Sequence, residues 1–416
     1  MSDDGNFRRL LVAFAASNLA DGALQTVMPL VALGITRDPG AFATVTLVGR
    51  LPWLLFALPA GALADRLDRR RTMVIVDAGR VVVLGVLTLV VAAGRQELWM
   101  LCAVAFALGC GETLFDTAAQ SILPSLVAEP DRLERANSRL YAVELTANQF
   151  IGPAAGGIVA GVALAAGVGT STVAYVVGAV VLMTITGTFR ARPVGPVPAR
   201  TSMYRDIVEG LRYLAGHRLL RAMAVVVGIS NLATNTTFAV FPLYAVEPGP
   251  MGLSAAGFGL LLAAVAAGSV IGTFLAPWTI RRLGPRWTLL TAMGIGPLFS
   301  LAPAVSSSVA WVAAAFVVSA AVGISWNIVT VSLRQRIVPD HLLGRVNAGY
   351  RLVAWGTMPL GAGLGGIVAS QLSLTAAFWT GAGLSVLCVP IVWSQVTTAR
   401  LVAAEPEVEP VSPGRA

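Results

Sequence analysis

The sequence predicts an all-α membrane protein of twelve transmembrane helices arranged as two six-helix repeats. Three observations lead to that prediction. Only 12% of the 416 residues are charged and 56% are hydrophobic, whereas a water-soluble domain has about 25% charged residues. Apolar runs of roughly 20 residues, enough for a helix to cross about 30 Å of hydrocarbon, recur along the whole chain. The arginines between those runs alternate in abundance from loop to loop.

The apolar runs place spans at 10–35, 42–64, 72–94, 98–123, 138–163 and 170–189, then at 222–246, 255–280, 287–307, 309–333, 348–370 and 375–397. Residues 1–189 therefore form an N-terminal bundle and residues 222–397 a C-terminal one. Met1–Arg9 is polar and leads straight into a long apolar run without a small-residue cleavage site, which reads as an uncleaved first span. Residues 190–221 form the linker. It is extended through Pro193, Pro196 and Pro198, then becomes an interfacial helix with Tyr204, Ile207, Val208, Leu211 and Leu214 spaced three and four apart. The Pro- and Glu-rich stretch 398–416 is expected to be a disordered tail.

The net charge of +8 comes from 29 basic residues, all arginine. Twenty-five lie in loops, linker or helix mouths on the side of the N-terminus. Arg37 and Arg95 lie on the other side, and Arg50 and Arg80 lie within spans. Basic residues are retained on the cytoplasmic face of a bilayer, so both termini are expected in the cytoplasm of a bacterial inner membrane. A basic charge scattered through short loops gives no nucleic-acid surface. Cys102, Cys110, Cys388, His217 and His341 stand at unrelated spacings and suggest neither disulfide nor metal site. No nucleophile–base pair or phosphate loop appears, so neither an enzyme nor a cofactor is expected.

A charge at the bilayer centre costs about 2.5–3.5 kcal/mol on insertion scales, so intramembrane charges mark pathways or ion pairs. Asp21 lies mid-span one, sharing a helical face with Asn18 and Gln25. Glu112 lies mid-span four, Arg50 in span two and Glu144 in span five, where Arg139 is within reach. A desolvated carboxyl can exchange a proton near neutral pH, so Asp21, Glu112 and Glu144 are the candidate coupling groups. Asp77, Arg80 and Asp116 are expected to pair structurally, in a charge cluster at the depth of the loop between spans two and three. The second half offers neutral groups, Asn231, Asn235, Asn327, Trp326 and Trp355, which suit helix–helix hydrogen bonds or a neutral aromatic cavity wall.

The halves echo each other. Pro130-Asp131-Arg132-Leu133, Arg135-Ala136-Asn137 and Gly156-Gly157-Ile158-Val159-Ala160 return as Pro339-Asp340-His341-Leu342, Arg345-Val346-Asn347 and Gly365-Gly366-Ile367-Val368-Ala369. Two such repeats form a transporter architecture. The loop Gly61-Ala62-Leu63-Ala64-Asp65-Arg66-Leu67-Asp68-Arg69-Arg70 resembles the major facilitator superfamily pattern G-x-x-x-D-R-x-G-R-R, with Asp68 replacing the second glycine. Gly152-Pro153-Ala154-Ala155-Gly156-Gly157 resembles the G-P-x-x-G-G element of its proton-coupled exporters, with Asn148 where the family has an upstream glycine. The second-half loop copy, Arg281-Arg282-Leu283-Gly284-Pro285-Arg286, lacks the acid. Span four reads Gly109-Cys110-Gly111-Glu112 where drug–proton antiporters carry an arginine.

The resemblance is strongest to the macrolide-efflux and enterobactin-exporter branch. It implies a proton-coupled antiporter, monomeric in the bilayer, that exports hydrophobic or cationic small molecules by alternating access, as in multidrug resistance. It also implies a conformational latch at Gly61, Asp65, Arg66, Arg69 and Arg70, joined by Asp77, Arg80 and Asp116. Helix packing would fall to Gly152, Pro153, Gly156 and Gly157. Uptake of a metabolite, or a membrane sensor that does not transport, remain open alternatives.

Overall fold

The computed structural model describes residues 2–64, 67–127, 129–187, 189 and 203–402. The first half contains α1 (Ser2–Leu33), α2 (Pro39–Ala64), α3 (Arg69–Ala92) and α4 (Leu98–Leu126). Its fifth span joins α5 (Pro130–Glu144), a π-helical turn at Leu145–Ile151 and α6 (Gly152–Val162), and α7 (Leu164–Met183) is its sixth. After α8 (Met203–Gly216) come α9 (Arg218–Phe238), the short α10 (Phe241–Ala245), α11 (Ala255–Ile295), α12 (Leu298–Val305) and α13 (Val309–Ile337). Then α14 (Asp340–Gln371), α15 (Leu374–Val386), α16 (Cys388–Gln395) and α17 (Thr398–Val402) complete the described chain.

Ten of these stretches are individually long and apolar enough to cross a membrane. Two further spans complete the twelve. The fifth is interrupted by its π turn, and the 51-residue stretch Ala255–Val305 is two spans joined at Gly284. Gly284 has φ +74°, a left-handed conformation that L side chains avoid, and it turns the chain back at the end of span eight. In the first-half copy of this loop, Asp68 takes over the turn. Its Oδ1 accepts from the Arg71 amide at 3.0 Å as the N-cap of α3, and its Oδ2 accepts from the Phe189 amide at 2.9 Å. The residue that departs from the superfamily pattern therefore ties span three to the end of span six.

Two expectations about the linker and tail change. Helix α8 packs on the start of span eleven: Leu214 is buried, Glu209 pairs with Arg345 at 2.7 Å, and the Gly210 backbone lies against Arg345. Leu211 and Leu214 of its apolar face meet protein where the sequence suggested lipid. Residues 398–402, predicted disordered, form α17 against the second half. Residues 190–202 and 403–416 lie outside the described residues.

The glycine pairs of spans five and eleven perform the same two tasks in each half. A Cβ on Gly156 would sit 2.6 Å from the Ala23 carbonyl of span one, and one on Gly365 would sit 2.2 Å from the Thr236 carbonyl of span seven. The first glycine of each pair thus lets its helix cross its own bundle at backbone contact. The second faces the other bundle. A Cβ on Gly157 would approach the Ala255 carbonyl of span eight to 2.6 Å, and one on Gly366 would approach Ala43 of span two to 2.7 Å. Small residues let membrane helices reach van der Waals contact without a side chain between them.

These cross-bundle contacts lie at the end of the molecule away from the N-terminus, called here the far end. A hydrogen bond from Arg37 Nη2 to the Glu247 carbonyl, 2.9 Å, adds to them. Towards the near end the bundles diverge around a cavity lined by spans two, four, five and eleven.

Replacing Gly157 or Gly366 by Leu overpacks this seal and should part the bundles there. Spin labels at Arg95 and Pro250, exposed in far-end loops of the two halves, should show a longer distance distribution by electron–electron double resonance. Gly79→Leu, whose Cβ meets nothing within 4 Å, should leave the distribution unchanged.

Candidate functional site

Span three brings Arg80 to mid-membrane with 2% of its side chain exposed. Its Nη1 lies 3.3 Å from Asp77 Oδ1 and 3.8 Å from Asp21 Oδ2. The Tyr175 hydroxyl of span six donates to Asp21 Oδ1 at 2.5 Å, and Ser17 Oγ donates to Asp77 Oδ2 at 2.7 Å. The guanidinium carbon lies 4.9 Å from the Tyr175 ring centroid and 5.4 Å from that of Phe115. Gly111 of span four clears the space, since a Cβ there would meet Arg80 Nε at 2.8 Å. Four helices thus converge on one arginine. This corrects the expected loop cluster: Arg80 reaches Asp21 at the bilayer centre, and Asp116 is not among its close partners. Sequence spacing relates residues of one helix and could not reveal that Arg80 and Asp21 share a layer.

Asp21 also faces a cavity of about 190 Å³ running from mid-membrane towards the far end between spans one, two and four. Gln25, Arg50 and Glu112 line it, with Phe238 of span seven. Asn18, expected beside them, is buried instead. Its Oδ1 accepts from Asn148 Nδ2 at 3.3 Å, while Gln25 Nε2 donates to Asn148 Oδ1 at 2.6 Å. Asn148, which departs from the family glycine, sits in the π turn of span five and joins span one through both amides. Such π turns are frequent at functional sites. Close approach of the two backbones continues at Gly22 and Gly152, and Thr26 Oγ1 donates to the Pro153 carbonyl at 3.0 Å.

Trp53 marks the boundary between this deep cavity and a larger one of about 580 Å³ at the near end. Its Nε1 donates to Glu112 Oε2 at 3.4 Å, and its ring meets Trp355 of span eleven edge-on, centroids 4.8 Å apart. Trp355 in turn lies 5.2 Å from the Arg351 guanidinium. The near-end cavity gathers Asp116 and Glu144 from the first half and Asn347 and Arg351 from the second. Glu144 forms no ion pair with Arg139 among the described residues, contrary to the reach expected on one helix.

The neutral groups of the second half separate. Asn231 Nδ2 donates to the Ala354 carbonyl of span eleven at 2.7 Å, and Asn235 Nδ2 to the Asn231 carbonyl at 2.9 Å. Asn231, Asn327 and Trp326 line a third cavity within the second bundle, whereas Trp355 faces the first half. One expected central site is therefore three cavities.

Of the expected latch, Arg69 Nη1 reaches Ser125 Oγ at 3.3 Å and Arg70 Nε donates to the Leu182 carbonyl at 2.9 Å. Both bind within the first half, closing the ends of spans four and six. Asp65 and Arg66 lie outside the described residues, as do the surroundings of Gly61.

Two six-helix bundles sealed at one end, parted at the other and holding buried carboxyls between them define a membrane transporter. The chain belongs to the major facilitator superfamily, within the family described as transmembrane secretion effectors, whose sequence profile matches residues 3–410. It is 27% identical over 387 residues to the multidrug efflux pump Tap of Mycolicibacterium fortuitum, covering 89% of this chain and 91% of Tap. It is 26% identical over 392 residues to the enterobactin exporter EntS of Salmonella typhimurium, covering 92% and 90%. Among solved structures, the nucleoside transporter NupG matches with TM-score 0.74 at 11% identity, covering 94% of this chain and 100% of NupG. A bacterial homologue of the iron transporter ferroportin matches at 19% identity and 94% coverage of this chain. The TM-score is 0.71 to its inward-facing form, of which 98% is covered, and 0.58 to its outward-facing form, of which 99% is covered.

Arg80→Ala should destabilise the protein by about 3 kcal/mol, because it strands the buried Asp77 and the half-buried Asp21 without their counter-charge. The thermal midpoint of the detergent-solubilised protein should fall clearly. Arg50→Ala should leave that midpoint nearly unchanged, since Arg50 faces the cavity and makes no ion pair among the described residues.

Proposed function

We propose that the protein is a proton-driven exporter of hydrophobic or cationic small molecules, working by alternating access in a bacterial inner membrane. The observation that carries this reading is the line of carboxyls across the closed centre of the molecule. Asp21 and Glu112 face the deep cavity, while Asp116 and Glu144 face the near-end cavity one helical turn and one helix away. With Asp77 these five carboxyls outnumber the three arginines beside them, Arg50, Arg80 and Arg351. Burial disfavours that many negative charges together, so protons or a cationic substrate would complete the balance.

The near end is read as cytoplasmic because the arginine-rich loops lie there. The greater likeness to the inward-facing ferroportin homologue supports the same orientation. Export, as against uptake, rests on the names of the relatives, an efflux pump and an exporter. In the proposed cycle, substrate enters the near-end cavity and displaces a proton from the Glu112 region as the Trp53–Trp355 contact opens. Rocking about Gly157 and Gly366 would then seal the near end, where Arg69 and Arg70 hold spans four and six in place. Protonation from the far side would release the substrate and reset the carboxyls.

Orientation is checked with single cysteines in a background lacking Cys102, Cys110 and Cys388. A cysteine at Pro250, exposed in a far-end loop, should react with an impermeant thiol reagent on intact cells. One at Gly216, exposed at the end of α8 with nothing within 4 Å of its Cβ, should react only after permeabilisation; the opposite pattern inverts the topology.

Coupling is checked in proteoliposomes carrying Glu112→Gln or Asp21→Asn. Loss of the coupling carboxyl should lower pH-driven accumulation at least about tenfold while substrate counterflow survives, because binding and proton exchange share one coupling free energy. Uphill accumulation intact in both variants removes these residues as coupling groups. Indifference of the unmodified protein to an imposed proton gradient removes the antiport mechanism.

A further inference from the structure

The second bundle holds a cavity of about 350 Å³ that the transport cycle above does not use. Its place in the repeat is informative. In the first half, the space between spans one, three, four and six is filled by Asp21, Asp77, Arg80 and Tyr175. The repeat counterparts of those spans are seven, nine, ten and twelve, and these four, with Val265 of span eight, enclose the cavity. Where the first half stacks an ion-paired arginine, the second half has small residues, including Gly296 and Gly323, and an open volume. No charged residue lines it.

Its walls are chemically consistent. Phe299 and Trp326 supply aromatic surface, and Met293 supplies a polarisable thioether. Ser319 lines the space with 9% of its surface exposed, and its Oγ has no hydrogen-bond partner. Other serines inside these helices bond a carbonyl one turn back, as Ser171 does with Gly167 and Ser394 with Pro390. A buried hydroxyl left without a partner is unfavourable, and a guest bearing an acceptor would satisfy it. Gly323 is exposed at the edge of the space, and a Cβ there would meet nothing within 4 Å.

We propose that this cavity is a second ligand site, specific for an uncharged lipophilic molecule of roughly 15–20 non-hydrogen atoms that presents a hydrogen-bond acceptor to Ser319. It is separate from the acidic cavities of the first half and holds whichever way transport runs. Two sites of opposite character, one acidic and one neutral, would let a single transporter accept both cationic and neutral compounds.

The probe is prodan, a neutral naphthyl ketone of suitable size whose emission reports polarity and hydrogen bonding. Titration into the purified full-length protein, measured against protein-free micelles, should show saturable binding. Gly323→Leu, which fills the space without meeting a neighbour, should weaken that binding at least about tenfold. Ser319→Ala should weaken it about three- to tenfold and shift the bound emission to the blue, as expected for one lost hydrogen bond. Gly383→Leu, at an exposed position of span twelve where a Cβ also meets nothing within 4 Å, should bind as the unmodified protein does. Each variant is accepted only if it is monodisperse and retains its thermal transition. Should Gly323→Leu and Ser319→Ala both bind prodan with unchanged affinity, the guest lies elsewhere and the proposal fails. It fails equally if the unmodified protein shows no saturable binding, as would happen if a lipid chain permanently filled the space.

Discussion

An arginine cannot rest in the middle of a bilayer unless the protein surrounds it with compensating charge, and Arg80 organises the first half around that requirement. Asp77 lies one turn away on its own helix, but Asp21 must come from span one, Tyr175 from span six, and the room to fit the guanidinium from Gly111 of span four. Each partner fixes the rotation of its helix. Because Asp21 serves both this ion pair and the deep cavity, the rotation that buries Arg80 also presents a carboxylate to the cavity. Structural charge compensation and the candidate transport site are therefore mechanically one unit.

The bundles meet by a different kind of contact. Backbone touches backbone at Gly157 against span eight and nearly so at Gly366 against span two. Such surfaces carry little directional bonding, so they can hold two bundles together while allowing a change of angle. Polar links stiffen the first half, Asp68 to Phe189, Arg70 to the end of span six and Asn148 to span one, while Arg37 to Glu247 bridges the halves at the far end. Rigid bundles joined by smooth contacts are the mechanical condition for rocking. The aromatic contact of Trp53 with Trp355 brings the joint to the acidic layer, through the hydrogen bond to Glu112.

Repeat symmetry clarifies the difference between the halves. Both use the same glycine pair for the same two contacts, so the frame of the fold is duplicated faithfully. The interiors have diverged. One is filled by ionised groups held by several helices, and the other retains neutral walls, an unpaired serine and open volume. A symmetric frame thus encloses two interiors of different chemistry.

The sequence by itself determined the membrane class, the twelve spans, the duplication and the superfamily. Those properties depend on composition, apolar length and local motifs, which are written along one chain. It also singled out Asp21, Glu112, Glu144 and Arg50 as charges within apolar runs, because such a charge is visible in one stretch of chain. Only the tertiary structure decided how they are grouped. Arg80 pairs with Asp21 across helices, Asn18 turns to Asn148, and Asn231, Asn327 and Trp326 share one cavity while Trp355 lines another. Asp68 and Asn148, departures from the motifs, also bond partners on distant spans, Phe189 and Asn18 with Gln25. The physical reason is that an intramembrane side chain takes its role from helix rotation and depth relative to other helices, and periodicity within one helix leaves both undetermined.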